Sequence, residues 1–241
     1  MNTLEPIDNN PGWGNARAFL QAEIVARGAK RIADVGGGAN PVLDAGFVRA
    51  NGLDYAVLDI SQAELDKAPD YCRKITVDLT APRAEFLAKI GDARFDLVFS
   101  CMFLEHLSAP MLAHGNIFSA LAPGGVAIHM YPSPNNLPLT LNRVMPDWAT
   151  DLLIRISQPK RDLSGQQRKF PAYYKMCGNA SRRLHGRFEG LGYTVARHTS
   201  YIGHWYYDRF PLLREIERAC RKPLVRARLG LTSAHLLILQ K

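Results

Sequence analysis

The stretch ADVGGGANPVLD, Ala33 to Asp44, sets three consecutive glycines between an apolar run that reads as a strand and a segment that reads as the start of a helix. Glycine adopts positive φ at little steric cost and has no Cβ to hold a neighbour off the backbone. Gly36 and Gly38 therefore point to a ligand lying against the peptide rather than to a tight turn alone. In an open α/β sheet such ligands bind beyond the carboxyl ends of the strands, where the strand order reverses, commonly beside the first strand. The turn thus predicts both an architecture and a place within it.

Outward from this turn, short apolar runs alternate with helical patterns. Arg31–Val35, Tyr55–Leu58, Ile75–Val77, Phe95–Ser100 and Val126–Met130 read as strands. A helix over Asn15 to Arg27 carries Ala16, Phe19, Leu20 and Ile24 on one face. Further helices are predicted after Ser61, which can cap a first turn with Glu64 reaching back, and over Pro82–Ile90 and Met111–Leu121. Such alternation builds parallel strands joined by right-handed crossovers. The predicted fold is α/β: a doubly wound, mostly parallel, Rossmann-like seven-stranded sheet formed by a single domain over 1–241.

From Tyr131 the rhythm breaks. Pro132, Pro134, Pro138, Pro146, Pro159 and Pro171 allow only short helices, and Asp147 to Ser157 spaces Trp148, Leu152 and Ile156 four residues apart. Residues 131–180 read as an inserted helical and loop lid after the fifth strand. Alternation returns over 181–241 with a helix near Ser181–Glu189, a strand near Thr194–His198, a helix from about Tyr207 to Arg221 and a last strand, His235–Gln240. The opening Asn10-Pro11-Gly12-Trp13-Gly14 reads as a turn.

Three acids stand at successive strand ends: Asp34 just before the glycines, Asp59 after the second strand and Asp78 after the third. A carboxylate at the second strand end can accept both hydrogens of a ribose diol, and one at the third can accept from the exocyclic amine of adenine. Together they point to an adenosine-type ligand. A nicotinamide fingerprint would want a glycine where Pro41 stands, and no G-x-x-x-x-G-K-[ST] phosphate loop is present.

In order and spacing, IADVGGGAN, YAVLDIS, ITVDLT, FDLVFSCMFLEHL and LAPGGVAIHM, over about Ala16 to Met130, resemble the class I S-adenosylmethionine-dependent methyltransferases. The resemblance implies S-adenosyl-L-methionine as cofactor and a cofactor-binding half over 15–130. It implies that Gly36 and Gly38 lie against the cofactor and that Asp34 helps to hold its amino-acid end, directly or through water. Asp59, with Ile60 beside it, would take the ribose hydroxyls, Asp78 and Leu79 would address the adenine, and Ser100 and Cys101 would line the methionine portion through the backbone. The third glycine of the usual D-x-G-x-G-x-G is Asn40 here; asparagine tolerates left-handed conformations, so the turn can survive, and the resemblance implies that Asn40 contacts the cofactor's methionine end. His106 falls where the family often places a histidine at the mouth of the substrate pocket, as a general base or as an ordering element of the loop.

Several acceptors are set aside. No [DNS]-P-P-[YF] follows the fourth strand, so by resemblance amino methylation of adenine or glutamine is disfavoured, and Cys101 lacks the preceding proline of a cytosine-directed thiol. Up to Met130 there are 11 basic and 15 acidic side chains, net −4; from Tyr131 there are 19 and 7, net +12, so the surplus behind the overall +8 belongs to the second half. There Tyr131, Asn135, Asn136, Arg143, Arg168, Lys169, Tyr173, Tyr174 and Lys175 mix aromatic faces with cations. This suits a small anionic acceptor such as a sugar or glycan precursor, with O-methylation favoured. The aromatic cluster Tyr201 to Tyr207 can edge the same pocket.

The alternatives are an RNA or lipid methyltransferase and a non-catalytic nucleotide-binding scaffold. No DNA partner is expected, and RNA is disfavoured by the want of an appended binding domain. Trp148, Leu152 and Ile156 could instead dip toward a lipid-linked substrate or a membrane surface. Cys72, Cys101, Cys177 and Cys220 are too widely spaced for a metal site, so none is expected. With no apolar run of spanning length and no signal-like start, the expected location is the cytoplasm.

Overall fold

The computed structural model describes residues 2–12, 14–135, 171–204 and 210–241. Among them eight strands form one sheet: β1 (Asn2–Pro6), β2 (Arg31–Val35), β3 (Asp54–Asp59), β4 (Arg73–Thr76), β5 (Phe95–Cys101), β6 (Leu121–Pro132), β7 (Thr194–Ile202) and β8 (Thr232–Gln240). Their order is β1-β7-β8-β6-β5-β2-β3-β4. Only β8 runs against its neighbours, β6 and β7; the other pairings are parallel. The helices are α1 (Ala16–Arg27), α2 (Ala45–Ala50), α3 (Gln62–Leu65), α4 (Arg83–Ile90), α5 (Pro110–Ala120), α6 (Arg182–Glu189) and α7 (Pro211–Arg226).

The central strands are covered on both faces, which is why they read as unbroken apolar runs. One core gathers Phe86, Ile90, Ala113, Ile117 and Phe188 from α4, α5 and α6. The other gathers Leu20, Ile24, Val48 and Leu65 from α1, α2 and α3. Local signals set the helix ends. α1 stops at Gly28, whose left-handed φ of 61° lets its N–H turn back onto the last carbonyls. Asp44 caps α2 by accepting the Phe47 N–H at 2.9 Å, and Ser181 caps α6 through the Leu184 N–H. Ser61 caps α3 as expected, but the Glu64 carboxylate pairs with Lys67 at 2.6 Å rather than with the cap.

The sheet has one strand more than the seven predicted. β1 adds to the edge of β7, with the Thr3 and Thr199 hydroxyls 2.7 Å apart and Glu5 at 3.8 Å from Arg197. An edge strand buries little, so β1 carries no apolar run for sequence reading to find. β6 runs on through Tyr131 and Pro132, past the predicted end of its strand. Trp13, Asn136, Arg143, the predicted helix with Trp148, Leu152 and Ile156, Arg168, Lys169 and the Trp205–Tyr207 aromatics lie outside the described residues. With β3 and β4 to one side of β2 and β5 and β6 to the other, the strand order reverses between β2 and β5, and a crevice opens at their carboxyl ends.

Candidate functional site

A cleft of about 490 Å³ occupies that crevice, lined by Gly36 beyond β2, Asp59 at the end of β3 and Ile60 beyond it, Asp78, Leu79 and Thr80 beyond β4, and Met102, Phe103 and His106 beyond β5. Ladder bonds hold these ends in place. The Gly36 N–H donates to Leu58 O at 2.8 Å, Val77 N–H to Asp59 O at 2.8 Å and Met102 N–H to Met130 O at 2.8 Å. The Asp59 carboxylate accepts the Ser61 N–H at 2.9 Å through Oδ1, and its Oδ2 faces Gly38, where a Cβ would fall 3.3 Å away. Gly38 has a left-handed φ of 47°, so both conformation and space ask for glycine. Asp78 Oδ1 accepts from the backbone and hydroxyl of Thr80, each at 2.7 Å, in a tight Asx turn. Asp59, Ile60, Asp78, Leu79 and Gly36 are thus brought to one cleft.

Asp34 is not among the residues that line it. It is 1% exposed, and its Oδ2 accepts from the Val42 N–H at 3.0 Å and the Tyr55 hydroxyl at 2.6 Å. Burial pushes its carboxyl up to about 6, against the pull of those two donors. A Cβ on Gly37 would fall 2.9 Å from the Asp34 carboxyl carbon, so the middle glycine, which sequence reading passed over, lets the loop fold down onto this acid. Asp34 braces the turn from beneath. Asn40 lies on the far side of the loop, exposed, lining a shallow hollow with Arg17 and Pro69. It is not among the left-handed residues, so the conformational reason suggested for asparagine there does not apply.

Ser100 turns its hydroxyl into the sheet, 2.8 Å from His129 Nδ1, and Cys101 ends β5 with its thiol pushed up to about 12, chiefly by burial and further by Asp34. A thiol so placed stays protonated and is no nucleophile. The wall of the cleft is made instead by Met102, at a left-handed φ of 53°, and by Phe103, whose ring it turns back over Gly36. Nothing in sequence spacing marks that reversal.

His106 stands at the mouth. Its Nδ1 is 3.0 Å from Pro171 O, and since a carbonyl only accepts, the proton sits on Nδ1. Nε2 is then the basic nitrogen of the neutral ring, 3.7 Å from Glu105 Oε1. Glu105 is buried, which pushes its carboxyl up, while a charged His106 would draw it down again. Its carbonyl accepts both the Tyr173 and the Tyr174 N–H, at 2.7 and 3.0 Å, and Lys175 Nζ donates to Ser108 O at 2.8 Å. The returning chain of the expected lid, Pro171 to Lys175, is therefore strapped across the single turn Leu104–His106, and Pro171 and Tyr173 line the cleft. Glu105 was not singled out in the sequence; its only signal is its place beside His106.

No cluster of His, Cys, Asp and Glu that could hold a metal ion occurs among the described residues. The cleft suits a nucleoside instead: Gly36 lines it without a side chain and carboxylates stand at the next two strand ends, while Gly38 is buried behind the lining and packs against Asp59.

Comparisons agree with that chemistry. A family profile described as "Methyltransferase domain" matches residues 13–211. No curated protein matches the chain. Among solved structures, a SAM-dependent methyltransferase from Archaeoglobus fulgidus is similar at 15% identity and a TM-score of 0.54, over 96% of this chain and 97% of that one. One from Mesorhizobium loti is similar at 15% identity and a TM-score of 0.55, over 98% and 100%. The cyclopropane synthase MmaA2 from Mycobacterium tuberculosis is similar at 13% identity and a TM-score of 0.53, over 99% and 89%. At these identities the likeness is one of fold.

Proposed function

The chain belongs to the methyltransferase-domain family and is a class I S-adenosylmethionine-dependent methyltransferase, and from that premise we propose that it methylates an oxygen of a small anionic acceptor, such as a sugar or glycan precursor. The observation that carries the proposal is the place of His106, at the mouth of the cofactor cleft with its Nδ1 3.0 Å from the Pro171 carbonyl.

S-adenosylmethionine, when bound, supplies an electrophilic methyl group on a sulfonium. Asp59 and Ile60 are assigned to its ribose, Asp78 and Leu79 to its adenine, Gly36 and Gly38 to close backbone contact, and the chain at Ser100 and Cys101 to its methionine end. Asp34 acts by bracing the glycine turn. His106 takes the hydroxyl proton of the acceptor on Nε2, with Glu105 Oε1 as the nearby counter-charge. Tyr173 offers an aromatic face and Lys175, 5.7 Å above that ring, a cation for an anionic substituent. We assign residues 15–130 to the cofactor half, 131–180, past the β6 residues Tyr131 and Pro132, to the substrate lid and 181–241 to the completing strands and helices.

The fold also carries a cyclopropane synthase, so the acceptor is a matter for experiment. Cell extract incubated with the protein and methyl-labelled cofactor, then fractionated into small molecules, glycans, lipids and RNA, is expected to carry label in an anionic small-molecule or glycan fraction as a base-stable ether. Label confined to lipid or RNA, or on nitrogen, overturns the proposal.

A further inference from the structure

Helix α7 is turned the wrong way round for a helix that stabilises a core. Of its sixteen residues, only Arg221 is buried. Its guanidinium reaches Asp8, Glu217 and the His204 carbonyl, so an ion cluster, with the half-buried Leu224 and Val225 nearer the C-terminus, makes the inward face. The large apolar residues of its first half face solvent: Leu212 is 74% exposed, Ile216 51% and Leu213 46%. At 100° per residue these three fall within one stripe with the exposed Ala219 and Cys220. Phe210 before the helix and Leu229 after it are exposed as well.

Cations border this stripe. Arg214 and Arg218 share one carboxylate, Glu215, at 3.0 and 3.4 Å. Lys222, Arg226 and Arg228 are exposed and enter no ion pair among the described residues. A second copy of the chain, docked stripe to stripe about a two-fold axis, would bring this rim against itself, and like charges there oppose the contact. An anionic lipid surface answers both features at once: acyl chains take the leucines and isoleucine, and headgroups take the cations. No described helix is long and apolar enough to cross a membrane, so the arrangement is one that lies on it. Asp8 and His204 stand just past the carboxyl ends of β1 and β7, the sheet edge at which the cofactor cleft opens, so docking through α7 brings that edge toward the lipid.

We propose that α7 is a membrane-surface anchor that docks the protein on anionic lipid through Leu212, Leu213 and Ile216, with Lys222, Arg226 and Arg228 at its rim. This does not rest on the acceptor assigned above. The test is flotation of the full chain with vesicles of phosphatidylcholine alone and of phosphatidylcholine mixed with phosphatidylglycerol. The protein is expected to float only with the mixed vesicles and less so in high salt. Leu212→Glu with Ile216→Glu should cut the bound fraction at least about tenfold, as should Lys222→Glu with Arg226→Glu. Both double variants should bind S-adenosylhomocysteine with unchanged affinity, which shows that they fold. Three results would overturn the proposal: no flotation with mixed vesicles, flotation that both variants retain, or a dimer in sedimentation equilibrium that the leucine and isoleucine substitutions split.

Discussion

The α-carbon of Gly36 faces the ring of Phe103 so closely that a Cβ built there would fall 2.2 Å from a ring carbon. Gly36 also holds a φ of 75°, so conformation and contact make the same demand. The aromatic ring thereby becomes part of the glycine turn, although 67 positions of chain separate the two residues.

Gly36→Ala is expected to weaken S-adenosylhomocysteine binding at least tenfold, since the left-handed backbone alone costs about 1–2 kcal/mol for a residue with a Cβ and the ring must move. Adding Phe103→Ala should recover part of the loss, because it removes the clash and leaves the backbone strain. Titration calorimetry on the two single variants and the double variant measures this. Strict additivity would detach Phe103 from the turn.

Asp59→Ala should cost about 1.5–3 kcal/mol of cofactor binding, the usual worth of hydrogen bonds to a charged group, which is at least a tenfold loss. Asp78→Asn should cost less, a few-fold, because its single amide oxygen keeps the Thr80 turn and only the second acceptor, the one left for the ligand's amine, becomes a donor. Equal losses at the two positions would contradict their assignment to ribose and adenine.

His106→Ala is expected to lower kcat roughly a hundredfold, the lower range for loss of a general base, with S-adenosylhomocysteine affinity preserved. His106→Asn separates two roles, since its amide can still donate to the Pro171 carbonyl but cannot take up a proton. If asparagine restores turnover, the residue only anchors the strap.

Stability should fall on mild acidification. Burial draws His114 down to about 4 and His198 down to about 3, and holds His129 and His235 well below the usual imidazole value. Between the ordinary histidine value of about 6.5 and these lowered values the unfolded chain binds more protons than the folded one, so stability is full above that range and is lost as pH falls through it. Asp34 acts in the opposite sense: raised to about 6, it contributes stability that is present below the ordinary carboxylate value and lost as pH rises toward 6. The buried Glu105 carboxyl, also pushed up, acts in the same sense as Asp34, and the four imidazoles outweigh these two carboxyls. Urea midpoints should drop from about pH 7 to about pH 5, and His114→Leu should flatten the slope by up to about 1.4 kcal/mol per pH unit, one proton's worth.

Much of the scaffold is legible in the chain itself. β2 and β5 fall within a residue of their expected bounds, because a fully covered parallel strand is an apolar run and the turns between are marked by glycine, proline and capping side chains. The acids at Asp59 and Asp78 are legible for the same reason: once a strand end is placed, the residue beyond it is at the sheet edge. The edge strand β1 is not, since it has no second neighbour to bury it. Nor are the buried histidines, whose neighbours come from α5, β6, β7 and β8 together.

Sequence alone determined the alternation of strand and helix, the glycine turn and the side chains available at each strand end, because these follow from local periodicity and backbone preference. Only the tertiary structure decided where each of those side chains points. Asp34 went beneath the loop because Tyr55 and the Val42 N–H were there to receive it, and His106 turned to Pro171 because the chain returns there from far along the sequence. A helical stripe can be read from the order of residues, but not which stripe turns inward. In α7 that was settled by Asp8, from the far end of the chain, which with Glu217 holds Arg221 against the body and leaves Leu212 and Leu213 outside.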